Sequence, residues 1–324
     1  MYVENDNIEL LPIKKYGLWG FTDKQGRIVI PCKWKYAFAF SEGLAYVEDF
    51  DDNHFYIDIL GNIIIKSIWP WADAFVEGLA RIRNEKMEYG YMDKTGSAII
   101  PCQWNFATRF RSGLACVQDK KLNYGFIDKK GEFVIPCTWD NASDFIDGLA
   151  MVKNDKHTWG FIDKNGNEVI PCKYGEAHLF SEGLSCVCEC HTIIEPVIKM
   201  TINVNDNYGF IDNRGKIVIP FIWKKAHSFS EGLALVENEE SKFGYIDKSG
   251  EIIISCQWYN GGDFHEGLAC VMDSHYKYGY IDHNGDIIIP CTWDYAGVFT
   301  DGFAKVRNKN GLSHRIDKKG NICD

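Results

Sequence analysis

No apolar run in these 324 residues approaches the roughly 20 needed to cross a bilayer as a helix. The opening stretch, Met1 to Leu11, has neither the basic start nor the apolar core of an export signal. Positive charge is in deficit, with 35 Lys and Arg against 45 Asp and Glu and a formal net charge of −10. Nucleic acids and anionic membranes are held by clustered Lys and Arg that displace counterions, so this balance argues against both as partners. A glycine-rich phosphate loop, a His-Glu-x-x-His helix and a nucleophile elbow are all missing, and the nine histidines are scattered, with His178, His227 and His265 in connecting segments. The expectation is a protein that is no enzyme and uses no cofactor. Without an export leader, the twelve cysteines read as small reduced hydrophobes of a cytoplasmic protein rather than as a disulfide framework.

What the chain has is repetition. An aromatic-Gly-aromatic-x-Asp-x-x-Gly segment recurs at Gly20, Phe55, Gly90, Gly125, Gly160, Gly209, Gly244, Gly279 and His314, in steps of 35 residues with a single step of 49. Its Asp stands in every copy, as Asp23, Asp58, Asp93, Asp128, Asp163, Asp212, Asp247, Asp282 and Asp317, each followed three residues on by Gly. Asp can accept the amide two residues ahead and Gly tolerates positive φ, so the pair marks a hairpin corner. A calcium ladder would need further oxygen ligands that the spacing does not supply.

Three strands follow from each copy: strand a (Gly-aromatic-Ile-Asp), strand b (Val-Ile-Pro-Cys) and strand c (Gly-Leu-Ala-x-Val). Strand b is apolar at successive positions, as in Ile287-Ile288-Ile289, which predicts burial on both faces. The proline after it (Pro31, Pro101, Pro136, Pro171, Pro220, Pro290) cannot donate to a ladder and is expected at an edge or bulge. Trp, Ala and Phe at three-residue spacing before a glycine, as at Trp293, Ala296, Phe299 and Gly302, predict a short helical turn in the connector. The Trp row (Trp34, Trp69, Trp104, Trp139, Trp223, Trp258, Trp293, with Tyr174 as the exception) reads as core, with sugar stacking as its rival. The chain enters through a strand-c equivalent at Ile8 to Tyr16, so the expected unit is the meander c-a-b.

These motifs resemble the WG-repeat, or KWG-repeat, family, whose name-giving dipeptide appears as Trp19-Gly20 and Trp159-Gly160 and, with another aromatic, as Tyr89-Gly90, Tyr208-Gly209 and Phe243-Gly244. The second copy departs most, with His54-Phe55 for the dipeptide, Lys66 for the proline and Ser67 for the cysteine. The resemblance implies an all-β interaction module of bacterial type with no family-wide catalytic residues. The expected architecture is one array over residues 1–324, nine stacked three-stranded meanders in an open curved solenoid, with a propeller-like closed ring as the alternative. The expected activity is scaffolding or binding of a protein partner; the alternative is a carbohydrate or cell-wall reader using the aromatic rows.

Six cysteines follow the proline (Cys32, Cys102, Cys137, Cys172, Cys256, Cys291), where a repeated buried niche explains them. Cys186, Cys188 and Cys190 with His191 lack the turn spacing of a zinc site and are expected on a solvent-tolerated strand. The long step inserts fourteen residues within Val187 to Asn207, read as a lengthened hairpin with its tip at Glu195-Pro196 and alternating Ile198, Met200, Ile202 and Val204. Glu195, Pro196, Ile198 and Met200 are the candidate partner-binding residues, because a protruding strand edge invites a partner strand.

Overall fold

The structure is a computed structural model that describes residues 9–189, 192–194, 201–203 and 207–323. Among these, all regular structure is β and lies in small antiparallel sheets, none closed into a barrel. The chain divides into two compact units, Met1–Ala150 with Lys164–Gly166, and Met151–Asp163 with Asn167–Asp324. Each contains the same module.

In the first unit the module is clear in Phe106–Ala107, Ala115–Gln118, Tyr124–Ile127 and Phe133–Trp139, four consecutive strands paired in chain order. The last three are c, a and b. The first, here called d, is the connector, which was expected to be a helical turn. Instead Phe106 pairs with Gln118 and Ala107 with Val117, so the connector is the fourth strand of the following meander. The module has four strands rather than three. After strand d the chain reverses through two residues with positive φ, Ser112 (52°) and Gly113 (83°), between Arg111 and Leu114, which exchange both backbone hydrogen bonds. That is a two-residue turn with left-handed backbone at both central positions, the kind whose twist matches a hairpin. The glycine read as a helix stop is a hairpin glycine.

Strand b also differs from expectation. It is the outer edge of each meander, and of its three leading apolar residues only the third is buried: Ile28 and Val29 are exposed while Ile30 is in the core. The core lies between successive meanders, not on both sides of one strand. Tyr91, Ile100 and Phe110 pack with Ala115, Val117 and Ile127 of the next meander. In every complete copy the second aromatic of strand a meets the connector Phe, as in Tyr91–Phe110 at 4.8 Å and, in the second unit, Tyr280–Phe299 at 4.8 Å between ring centroids. The Trp row belongs to this core, with Trp34, Trp104, Trp223, Trp258 and Tyr174 all buried.

The glycine of the aromatic-Gly dipeptide has a steric cause. Tyr124 pairs with Trp139 but Phe126 with Ile135, so strand b carries two extra residues in a bulge over Gly125. A Cβ on Gly125 would stand 2.6 Å from the Ile135 carbonyl oxygen and 2.7 Å from the Cys137 amide. Where the second copy has Phe55, strand b pairs without the bulge, His54 with Ser67, Phe55 with Lys66 and Tyr56 with Ile65. The bulge persists with Ser255 in place of proline, Phe243 pairing with Trp258 and Tyr245 with Ile254. Glycine, rather than proline, therefore accompanies the bulge.

In the second unit, Glu168–Ala177 runs strands b and d together without a break and joins two meanders into one sheet. Within the inserted segment, Thr192–Ile194 and Thr201–Asn203 form an antiparallel pair, Ile193 opposite Ile202. Glu195, Pro196, Ile198 and Met200 lie outside the described residues.

Candidate functional site

A repeat spends most of its residues on itself, so candidate binding groups are those the repeat does not require. Rungs between copies take up the first of the residues it does require. The Glu of the strand d–c turn accepts a hydrogen bond from the turn glycine one copy on: Glu77 Oε2 from the Gly113 amide at 2.9 Å, Glu231 from Gly267 at 2.9 Å, Glu266 from Gly302 at 3.0 Å. A cation from the Asp-x-x-Gly corner closes the same rung, Lys129 on Glu77 at 3.2 Å, Lys248 on Glu182 at 2.8 Å and Lys318 on Glu266 at 3.0 Å. The Lys248 ion pair and the Gly232 amide hold the Glu182 carboxyl below its ordinary range against a smaller effect of burial.

The corner Asp residues are occupied as turn residues. Asp128 Oδ1 accepts the amides of Lys130 and Glu132 at 2.9 and 3.0 Å. The c–a hairpin carries a second Asx set that the sequence reading did not single out: Asn154 Oδ1 accepts from Lys156 and Thr158, and Asp273 Oδ1 from His275 and Lys277. Among the described residues no group of three or more His, Cys, Asp or Glu has the geometry to hold a metal ion.

The cysteines are also structural, though not as expected. Those after the proline are half-buried, not enclosed, and sit in the notch left by the dipeptide glycine; Cys256 Sγ would be 2.8 Å from a Cβ on Gly244. Cys186 and Cys188 are fully buried rather than solvent-tolerated, and Cys186 packs against Ala226 and Phe229 of the next copy's connector. Cys186 Sγ lies 3.3 Å from the Ala226 carbonyl oxygen. Burial pushes the Cys137 and Cys172 thiols up to about 11 and Cys186 to about 12, which leaves them protonated and poorly nucleophilic at neutral pH.

Against this background one non-repeated constellation stands out, in the first unit. Asp73, on the connector beyond Trp71–Ala72, accepts Arg81 Nη2 at 2.6 Å and Nε at 3.1 Å on Oδ2. Arg109 of the next copy adds Nε to Oδ2 at 2.8 Å and Nη2 to Oδ1 at 2.5 Å. Arg81 Nη1 goes on to the Ala107 carbonyl at 2.7 Å, the place that a cysteine thiol takes in the Cys186 copy. Burial raises the Asp73 carboxyl, but Arg109, Arg81 and the Ala74 amide outweigh it, and its pKa falls below the ordinary value. Beside the cluster a cavity of about 350 Å³ is lined by Phe38, Phe40, Tyr46, Trp71, Asp73 and Arg109 among others. The second unit has a lesser counterpart, His227 Nδ1 on Asp263 Oδ1 at 2.9 Å, in the same relative positions as Asp73 and Arg109.

The same repeat signature identifies the family. The model of the WG-containing repeat matches residues 19–49, 55–86, 89–122, 124–156, 159–189, 208–240, 243–273 and 278–312. The chain belongs to that family. The matched repeats open at the aromatic-Gly position and leave out the terminal copy at His314, which has no strand b. A search of curated proteins finds no match. Solved structures similar to the chain include BamB from Moraxella catarrhalis, at 10% identity over 86% of this WG-repeat chain and 95% of that one, with a TM-score of 0.42. A eukaryotic initiation factor is similar at 10% identity over 98% of this chain and 84% of that one, with a TM-score of 0.48.

Proposed function

We propose that this WG-repeat protein is a non-enzymatic binding module that engages a protein partner, working in the cytoplasm, where its protonated thiols would remain reduced. The observation behind this reading is the outer row of strand b. Seven copies present two apolar side chains there that the fold does not bury, among them Ile63 and Ile64 at 51% exposure in the first unit and Ile252 (51%) and Ile287 (55%) in the second, and the fifth has Glu168 beside Val169. Monomeric proteins rarely keep such apolar surface contiguous unless something covers it. An edge strand also offers unpaired backbone groups to another chain. The carbohydrate alternative rested on the Trp row, and the burial of Trp34, Trp104, Trp223 and Trp258 weighs against it.

The test is capture from cytoplasm on the immobilised chain, wild type beside a variant with Ile63, Ile64 and Ile99 replaced by Lys. These positions are solvent-facing, so the variant should fold. A polypeptide retained by wild type and lost by the variant supports the reading. A glycan retained with no polypeptide, or a polypeptide retained equally by both, overturns it.

A further inference from the structure

We infer that the cavity bounded by Phe38, Tyr46, Trp71 and Arg109 is a recognition pocket for an aromatic ring that carries a carboxylate, as at the C-terminal aromatic residue of a partner chain. The inference rests on the binding-module reading and specifies what one part of the surface reads. Its first support is that these residues are free of the repeat. The position of Arg109 is filled elsewhere by Ala39, Ala74, Asp144, Leu179, Ser228, Asp263 and Val298, and that of Arg81 by Tyr46, Cys116, Met151, Cys186, Leu235, Cys270 and Lys305. No structural rule of the array calls for a guanidinium at either.

The second support is size and wall chemistry. About 350 Å³ falls at the lower end of the range for small-ligand sites, which runs from about 300 to 1,000 Å³. Phe38 stands 57% exposed at the rim, with its ring 5.7 Å from that of Tyr46. Trp71 forms another wall, under the guanidinium of Arg81 at 5.4 Å.

Charge then selects the ligand. An aromatic enclosure with a carboxylate would ordinarily favour a cation. Here Asp73 is already engaged by two guanidiniums and the Ala74 amide. Two positive charges against one negative leave the cluster net cationic, in a molecule that is acidic as a whole. Arg109 is half exposed, and the N–H groups it does not spend on Asp73 are the donors at hand for an incoming carboxylate.

The experiment uses the full chain with N-acetylphenylalanine and its uncharged amide, N-acetylphenylalaninamide, followed by saturation-transfer NMR and calorimetry. The acid should bind at least about tenfold more tightly than the amide, a preference that shrinks with added salt. Arg109→Gln should remove that preference. Phe38→Ser, at an exposed wall outside the ion network, should weaken both probes while leaving the preference intact, and it guards against a folding defect in Arg109→Gln. Equal affinity for acid and amide, an unchanged preference in Arg109→Gln, or no binding of the acid at about 10 mM overturns the assignment. Loss of the pocket with partner capture intact refutes this inference alone, whereas a measured preference with no polypeptide captured refutes the module reading alone.

Discussion

Gly113 and Gly125 sit close together in the chain and are required for different reasons. Gly113 occupies positive φ with nothing within 4 Å of a would-be Cβ, so its constraint is conformational. Gly125 has ordinary φ but lies under the bulge of strand b, so its constraint is steric. Gly113→Ala should cost about 1–2 kcal/mol, the left-handed penalty of an L-residue. Gly125→Ala must either push strand b off or flatten its bulge and should cost about 1–3 kcal/mol as overpacking, more if the Trp139 side of the core loosens. Urea-unfolding midpoints of the two variants check the order, and a Gly125→Ala variant as stable as wild type would refute the close approach. The glycine that ends each Asp-x-x-Gly corner combines both constraints. Gly131 has φ +84° and a Cβ there would meet Ile100 of the preceding copy at 3.2 Å, so one residue makes the turn and seats the next copy.

Elements are coupled by rungs that recur at a fixed offset, and each rung can be weakened in parts. Glu77→Gln keeps an oxygen for the Gly113 amide but loses the Lys129 ion pair, and should cost a few tenths of a kcal/mol to about 1. Glu77→Ala loses both and should cost roughly 1 kcal/mol more, in a chemical-denaturation series at low and high salt. Because the Glu182 carboxyl is depressed in the folded state, its rung contributes fully above its ordinary value of 4.5 and fades as pH falls through the depressed one. Two of the connector histidines, His178 and His227, should titrate on opposite sides of 6.5. The Asp263 hydrogen bond raises His227, so that pair stabilises below 6.5 and its contribution is lost as pH rises through the raised value. Burial lowers His178, which therefore resists protonation and costs stability as pH falls through 6.5. Imidazole resonances followed against pH measure both, and coincident midpoints would contradict the two environments. The hairpins, the corner Asp residues and the bulge proline were legible in the sequence because turns depend on local chemistry. Strand d was not, because Ala37 and its equivalents owe their place to pairing with Val47 and its equivalents one strand later, and a buried Trp-Ala-Phe spacing suits a helical turn equally well. The Asp73 cluster escaped for the opposite reason: Arg81 and Arg109 belong to different copies, and only stacking brings them to one carboxylate.

At the scale of the whole molecule, a structure held by nearest-neighbour rungs should tolerate loss of a full period and nothing less. Deleting residues 244–278 from the second unit joins Phe243 to Gly279 and restores an aromatic-Gly-aromatic strand. The contacts of the repeat then find their equivalents one copy further on. Ile219, which now seats Gly250, would seat Gly285. The Ser230 hydroxyl, bonded to the Phe264 carbonyl at 2.7 Å, would meet that of Phe299. Glu231 would exchange the Gly267 amide for that of Gly302, and His283 for Lys318. The His227–Asp263 pair is lost, since Val298 takes the place of the carboxylate, and Lys242 exchanges the Tyr259 ring for the Asp294 carboxylate. Removing only residues 244–260 leaves Phe243 facing Gly261 with no strand a to pair against strand c, so the core between two meanders stays open. The 35-residue deletion should give a soluble protein with an unchanged β circular-dichroism signature and a urea m-value lowered in proportion to the surface removed. The shorter deletion should yield aggregated or protease-sensitive chain, and equal behaviour of the two in limited proteolysis would refute the account of stability as a sum over rungs.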